Sequence, residues 1–404
     1  MTGLDGERLL SRLRELGAVG RSEGRLTRLA ASDADKAGRD LLCRWLSDAG
    51  LRVEIDRIGN IFGTWAPAGV TGDPLMIGSH IDTVIDAGIF DGCYGVLSGL
   101  SVIEALQAEG ITPARPVTVA AFTNEEGVRY APDMMGSLVT AGGLDLGAAL
   151  ASIGTDGTTL GHELARIGYA GAHQPGFLRP HAFIELHIEQ GPVLETEGLS
   201  LGAIENLQGI SWQEVTVSGT ANHAGTTPMT LRRDAGVAAA QVIAGLDQMA
   251  RATPGAVATV GTIAFHPRAI NVIPARAVFT VDLRNPDETR LQSQEAALDR
   301  MLDALRAQGF GVETRRLARF QPVQFDVDIV ARIEAIAQER GTPCRRMTSG
   351  AGHDAQMIAR IAPAAMIFVP SRDGISHNPA EFTESSQLVS GAELLLDLAR
   401  ELLT

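Results

Sequence analysis

Two adjacent glutamates, Glu125 and Glu126, close the apolar run VTVAAFTNEE. Neighbouring carboxylates at the end of a buried strand repel each other and lose solvation, which is costly unless a cation or a proton compensates. Because successive strand residues point apart, one can bind metal while the other holds and deprotonates water, a division into ligand and general base. The ordinary alternative is an exposed strand end running into a polar loop. Three of the nine histidines stand at or beside the ends of other apolar runs: His80 in MIGSHIDTV, His187 in FIELHIEQG and His377 after MIFVPSRDGIS. Open α/β sheets place ligands at strand ends, although a lone histidine there is more often structural. Asp82 follows His80 by two positions, so both face one side of an extended strand and the carboxylate can take the second N–H of the imidazole. Asp91 lies in GIFDGCYG, a glycine-flanked loop before a helix, where a carboxylate can bridge two cations or simply cap the helix.

These donors are nitrogen and oxygen atoms without a thiolate, a set that suits Zn²⁺ and also Mn²⁺, Co²⁺ or Ni²⁺. One bridging carboxylate with two terminal ligands per ion leaves positions open for water and substrate. Ions ~3.5–4 Å apart activate water and polarise a carbonyl together. The three cysteines, Cys43, Cys93 and Cys344, are widely spaced and suggest neither a disulfide framework nor a cysteine zinc site. Cys93 reads as a packing residue rather than a nucleophile. His162, His173, His181 and His266 lack comparable neighbours and read as structural or exposed.

The elements that must position these groups alternate between strands and helices. The first 50 residues suggest two amphipathic helices; in the second, Leu41, Leu42, Trp45 and Leu46 share a face, Ser32 or Asp33 caps the start and Gly50 ends it. LRVEIDRIGNIFGTW suggests a hairpin, PLMIGSHID a buried strand, GVLSGLSVIEALQAEG a helix, and PVTVAAFTNEE and HAFIELHIEQG two more buried strands. This alternation predicts an α/β layer on a largely parallel or mixed sheet. From about Ile210 to Phe320 the order becomes βαββαβ, a split-βαβ (ferredoxin-like) unit inserted into the first. AVATVGTIAF reads there as one strand, and Asn285-Pro286 as a helix start with a capping side chain and proline at the first position. The expected division is 1–209 with 321–404, and 210–320.

Composition excludes other classes. With 404 residues, 45% hydrophobic and 20% charged, the chain is long enough for two cores and has no low-complexity tract. A net charge of −14 argues against nucleic acid and anionic membrane surfaces as partners. The N-terminus MTGLDGERLLSRLRELG lacks the apolar run of a secretory signal, and no stretch reaches the ~18–20 apolar residues of a membrane span. A cytoplasmic, reducing setting is expected.

The blocks GSHIDTV…FDG, TNEEG, ELHIEQGP, NHAGTTPM, SGAGHDA and SHNPAE resemble, in order from about Gly78 to Phe382, the signature of the di-zinc peptidase/amidohydrolase superfamily. More narrowly they resemble its N-carbamoyl-L-amino-acid hydrolase, allantoate amidohydrolase and β-ureidopropionase branch, which has a histidine in ELHIEQGP where many related aminoacylases and peptidases have a carboxylate. The resemblance implies a metallohydrolase domain with one metal on His80, Asp91 and His187 and another on Asp91, Glu126 and His377. It implies that Glu125 is the catalytic base and that the inserted unit is a lid through which a homodimer forms. His223 then matches a histidine that stabilises the oxyanion, typically in the neighbouring subunit's site. Asn271 and Arg284 match residues that hold substrate amide and carboxylate, and Gln190 and His353 match polar positions lining the cleft. From the residues alone, His223 reads as a solvated loop histidine, and Arg284 has an exposed ion pair with Asp282 as its ordinary alternative, though arginine suits bidentate recognition of a carboxylate.

The activity expected is hydrolysis of the carbamoyl C–N bond of an N-carbamoyl-L-amino acid, a small ureido substrate with a free carboxylate. Allantoate and N-carbamoyl-β-alanine are the near alternatives. An aminoacylase or dipeptidase, or a non-catalytic metal-binding sensor, is more distant. In GVRYAPDMMGS, Tyr130, Pro132, Met134 and Met135 suggest an apolar wall, which favours a carbamoyl amino acid over polar allantoate.

Overall fold

The computed structural model describes residues 3–403. They form two compact units, one made of residues up to Glu205 and from Gln324 onward, the other of Asn206–Val323. The first is built on a nine-stranded mixed sheet. Its central strands run parallel in the order Ala364–Val369, Ala182–Ile188, Leu75–His80 and Val117–Phe122. Every residue of these four strands is buried, as expected where helices cover both faces of a parallel sheet. The expected hairpin, Arg52–Ile55 with Ile61–Trp65, adds antiparallel to Val117–Phe122. At the other side Leu201–Leu207 runs antiparallel to Ala364–Val369 and also pairs with Cys344–Ser349.

The helix Cys93–Ala108 packs on Leu75–His80, and the helices Gly6–Ala18 and Ser385–Leu402 pack on it. It is apolar nearly all round, which fits a helix enclosed on every side. The helix Asp33–Asp48 starts as anticipated, with the Ser32 side chain accepting the Asp35 N–H. Inside it, Arg39 and Asp35 form a fully buried ion pair at 2.7 Å. Arg39 also donates to the Gly59 carbonyl (2.6 Å) and to Thr123 Oγ1 (3.2 Å), tying this helix to the strand that leads to Glu125.

The second unit has an antiparallel sheet in the order Val257–Thr259, Arg276–Asn285, Gly209–Ser218, Gly311–Phe320, with Ile263–His266 also paired to Arg276–Asn285. The helices Ala235–Ala252 and Glu288–Ala307 pack on it through a core that includes Val215, Val242, Leu246, Phe279, Val281, Leu298 and Leu302. Two local expectations are corrected here. AVATVGTIAF is not one strand but two, Val257–Thr259 and Ile263–His266. The helix starts at Glu288 with Asp287 as its cap, not at Asn285-Pro286. Asn285 is still in the sheet, and its amide is spent on Gln294 Oε1 (2.9 Å) and the Asp287 N–H (3.0 Å). No described helix is long and apolar enough to cross a membrane.

The Asp35–Arg39 pair generates a stability prediction. Asp35→Ala strands a buried guanidinium and should destabilise the protein by about 3–5 kcal/mol. Thermal unfolding of the variant would read this, and an unchanged midpoint would show the pair to be dispensable.

Candidate metal centre

Apart from Asp91, the sequence-predicted donors of the first unit emerge at or soon after the ends of the four parallel strands. His80 is the last residue of Leu75–His80, and His187 is the next-to-last of Ala182–Ile188. Glu125 and Glu126 lie just beyond Phe122, and His377 follows Val369 by a short loop. Asp91 precedes the helix Cys93–Ala108, whose cap is Gly92 rather than Asp91. Gly92 has φ 63°, and a Cβ there would lie 2.4 Å from His80 Nε2, so only glycine lets the loop pass this close to the imidazole.

Asp91 turns its two oxygens to different partners. Its Oδ1 lies 3.1 Å from His187 Nε2 and 3.6 Å from His80 Nε2, and its Oδ2 lies 3.3 Å from His377 Nε2. Glu126 Oε2 is 3.3 Å from the same His377 nitrogen, and Glu125 Oε2 is 3.4 Å from His80 Nε2. The donors therefore fall into two groups that share Asp91: His80, Asp91 and His187, and Asp91, Glu126 and His377. A third group, Glu185, His187 and His353, overlaps the first.

These residues fit metal cations. His80 Nδ1 lies 3.0 Å from the Asp82 carbonyl and His187 Nδ1 lies 2.8 Å from the Ile188 carbonyl. A carbonyl only accepts, so each Nδ1 keeps its proton, and each Nε2 would present a lone pair to a cation once its own proton leaves. Glu126 Oε1 is buried without a hydrogen-bond partner, as is Gln190 Oε1. Burial raises the Glu125 carboxyl well above its usual range and pushes Glu126 up to about 8, helped by the Asp91 charge. Two crowded acids in this state need nearby positive charge to ionise. Burial also works against a charged Asp91, but hydrogen bonds from His187, His377 and His80 outweigh it and hold its carboxyl well below the ordinary value.

The predicted role of the Asp82 side chain is corrected. His80 is served by the Asp82 carbonyl, whereas the carboxylate accepts the backbone N–H of Glu125 and of Glu126, each at 3.3 Å. The strand ends at His80, so two-residue alternation no longer applies at Asp82. Gln190 donates to Asp91 Oδ2 at 2.8 Å. His353 is buried beside His187, its ring edge-on with centroids 4.6 Å apart, and burial holds it neutral. Both line a cavity of about 130 Å³ together with His80, Asp91, Glu125, Glu126, His377, Asp133, Ala351 and Gly352.

Tyr130, Met134 and Met135 do not form the expected apolar wall; they are buried in the protein interior, and Asp133 faces the cavity from that segment. Other residues that sequence reasoning missed are Glu381 and Glu185. Glu381 Oε1 accepts the N–H groups of Phe90 (3.0 Å) and Asp91 (3.3 Å), and its Oε2 accepts Ser376 Oγ (2.9 Å). Glu185 accepts Ser79 Oγ at 2.6 Å and the Ala355 N–H at 2.7 Å. Its place two residues before His187, on one face of the strand, was the available signal.

His223, Asn271 and Arg284 belong to the second unit. His223 is exposed, and the Ala224 N–H donates to the Asn271 carbonyl at 3.0 Å, bringing those two segments together. Arg284 pairs with Asp282 at 2.9 Å, half-buried, with its guanidinium 6.0 Å from the Trp212 ring centre.

His377 is pushed up to about 9, chiefly by its hydrogen bond to Asp91, so it holds a proton at neutral pH, as does Glu126. A cation needs the first neutral and the second ionised. Affinity for Zn²⁺ or Mn²⁺ should therefore rise with pH until about 9, with protons released on binding at neutral pH. Calorimetry of the metal-free protein in buffers of different ionisation enthalpy measures this; an affinity that does not change with pH would contradict it.

Residues 76–401 match the model of Peptidase family M20/M25/M40. An N-carbamoyl-L-amino-acid amidohydrolase of Rhizobium meliloti is 38% identical over 98% of this chain and 96% of its own. A probable allantoate deiminase of Oryza sativa subsp. japonica is 36% identical over 92% of this chain and 83% of its own. A solved amidase of the hydantoinase/carbamoylase family from Burkholderia multivorans has a TM-score of 0.96 at 42% identity, covering 100% of this chain and 98% of that one. The chain belongs to peptidase family M20/M25/M40, in the branch of metal-dependent amidohydrolases that contains the N-carbamoyl-L-amino-acid and allantoate enzymes.

Proposed function

We propose that this protein hydrolyses the carbamoyl C–N bond of an N-carbamoyl-L-amino acid, releasing the amino acid, ammonia and carbon dioxide. The observation that carries this is Asp91 set between two donor groups with Glu125 beside them, in a chain similar to N-carbamoyl-L-amino-acid amidohydrolases. His80, Asp91 and His187 would hold one divalent ion, and Asp91, Glu126 and His377 a second, with Zn²⁺ first and Mn²⁺, Co²⁺ or Ni²⁺ compatible. Such ions supply a Lewis acid for the ureido carbonyl and acidify water.

The protein's own groups do the rest. Glu125 takes a proton from the attacking water and returns it to the leaving nitrogen. The water oxygen bonds to the ureido carbon, the bond to the amino-acid nitrogen breaks, and the carbamate fragment falls apart to carbon dioxide and ammonia. Asp82 fixes the backbone at Glu125 and Glu126, so that base and ligand keep separate directions. His223 donates to the oxyanion, where donors aimed at developing charge commonly supply the largest catalytic term. Asn271 and Arg284 bind the substrate amide and carboxylate, while Gln190 and His353 line the cleft. The unit Asn206–Val323, with its strand order as described, acts as a ferredoxin-like lid through which a homodimer forms. Allantoate is the second reading: the cavity lining is polar where an apolar wall was expected, and the rice relative is named a probable allantoate deiminase.

Release of ammonia from N-carbamoyl-L-amino acids, N-carbamoyl-β-alanine and allantoate, and of free amino acid from N-acetyl amino acids and dipeptides, with each metal supplied in turn, tests the assignment. Turnover confined to N-acetyl or peptide substrates would overturn it. Glu125→Gln should lose turnover by about two to four orders of magnitude, the usual contribution of a general base, while its metal content by atomic emission stays at the wild-type level. Near-normal turnover would remove Glu125 from the role of base.

A further inference from the structure

Of the four carboxylates that line the cavity, Asp133 is neither in a donor group nor paired with a histidine among the described residues. Asp91, Glu125 and Glu126 each have an oxygen within 3.6 Å of a histidine nitrogen. Asp133 belongs to neither donor group, and the one hydrogen bond resolved for its carboxylate comes from its own backbone N–H. Its place is held firmly. The Asn124 side chain donates to the carbonyls of Tyr130 (2.8 Å) and Pro132 (3.1 Å), and the Met134 N–H donates to the Glu125 carbonyl (2.6 Å). The segment 125–134 is thus closed on itself at the base. Gly127, at φ 67°, packs so tightly that a Cβ there would lie 2.8 Å from the Asp133 Cα.

Asp133 is half-buried and lines the cavity, and its carboxylate, bonded among the described residues only to its own backbone N–H, is an acceptor with room for a donor. A ureido group differs from an acyl group in this respect: its carbonyl carbon carries a terminal NH₂ with two N–H donors, where formyl offers hydrogen and acetyl a methyl. We propose that Asp133 accepts hydrogen bonds from this terminal NH₂ and so selects ureido over acyl substrates. The inference rests on the carbamoyl assignment above and adds the residue that enforces it. A site built to bond an N–H rejects an analogue that lacks it, because the site's own polar group is left unpaired.

The test compares N-carbamoyl-L-methionine with N-formyl-L-methionine on the metal-loaded enzyme, the formyl compound being followed as a substrate or as a competitive inhibitor. Asp133→Ala should lower kcat/KM for the carbamoyl compound by about 10- to 100-fold, as expected for a lost charged hydrogen bond, and leave the formyl constant within about threefold. Asp133→Asn, which keeps an acceptor oxygen, should recover part of the loss. The formyl constant also reports whether each variant is folded. Equal losses on both compounds, or no loss on either, would overturn the role of Asp133. A wild-type enzyme that cleaves the formyl compound and no ureido compound would instead overturn the carbamoyl assignment itself.

Discussion

Asp91 is buried, and its two oxygens serve different partners, Oδ1 the pair His80 and His187, Oδ2 the His377 side. A carboxylate can do this only if its plane is held between the two sets, so its backbone must be fixed in both position and direction. Several features of the fold converge on that requirement. Glu381 accepts the N–H groups of Phe90 and Asp91 and is joined to the same loop network through Ser376. Gly92 lets the chain pass against the His80 ring, and the enclosed helix Cys93–Ala108 begins immediately after it. Gln190 donates to the Oδ2 that faces His377 and so helps to orient the carboxylate.

The parallel strands deliver the other donors, and the irregular backbone beyond them sets their directions. Asn124, Gln190 and His377 all have positive φ, at 57°, 57° and 53°. Non-glycine residues in that region are held at a cost of order 1 kcal/mol or more, and they concentrate at functional sites. Here Asn124 precedes Glu125, Gln190 donates to Asp91, and His377 is itself one of the clustered donors. Arg28, fully buried, stiffens the segment after His80 by donating to the carbonyls of Ile81, Leu16 and Val19. The same segment supplies the Asp82 carbonyl that sets the tautomer of His80 and the Asp82 carboxylate that anchors Glu125 and Glu126. One short turn therefore positions the His80 imidazole and the backbone at Glu125 and Glu126 together.

The electrostatics of the centre follow from this crowding. Burial raises the carboxyls of Glu125 and Glu126 above their ordinary range, and the hydrogen bond to Asp91 and the neighbouring acids raise His377 in turn. Were a cation to bind, it would take the place of the protons on Glu126 and His377 and leave Glu125 free for the role of base proposed above. Asp133 stands apart from that exchange because no histidine partners it, which is why it can face the substrate instead.

Much of this was legible from residue order. His80, Asp91, Glu125, Glu126, His187 and His377 stand at ends of apolar runs, and burial of strands at those runs follows from hydrophobicity alone. The α/β alternation and the change of rhythm near Ile210 follow from the same patterning. What the sequence could not state is where a backbone turns once a strand has ended. The Asp82 carboxylate, expected on His80, serves two amides 43 and 44 residues away. The segment Tyr130–Met135, apolar by composition, buries its tyrosine and methionines and turns its one acid to the cavity. The capping of the helix Glu288–Ala307 moved because Asn285 stayed in the sheet. Periodicity reports which face of a regular element is buried; directions of side chains in irregular segments depend on contacts between residues far apart in the chain, and only the tertiary structure supplies those.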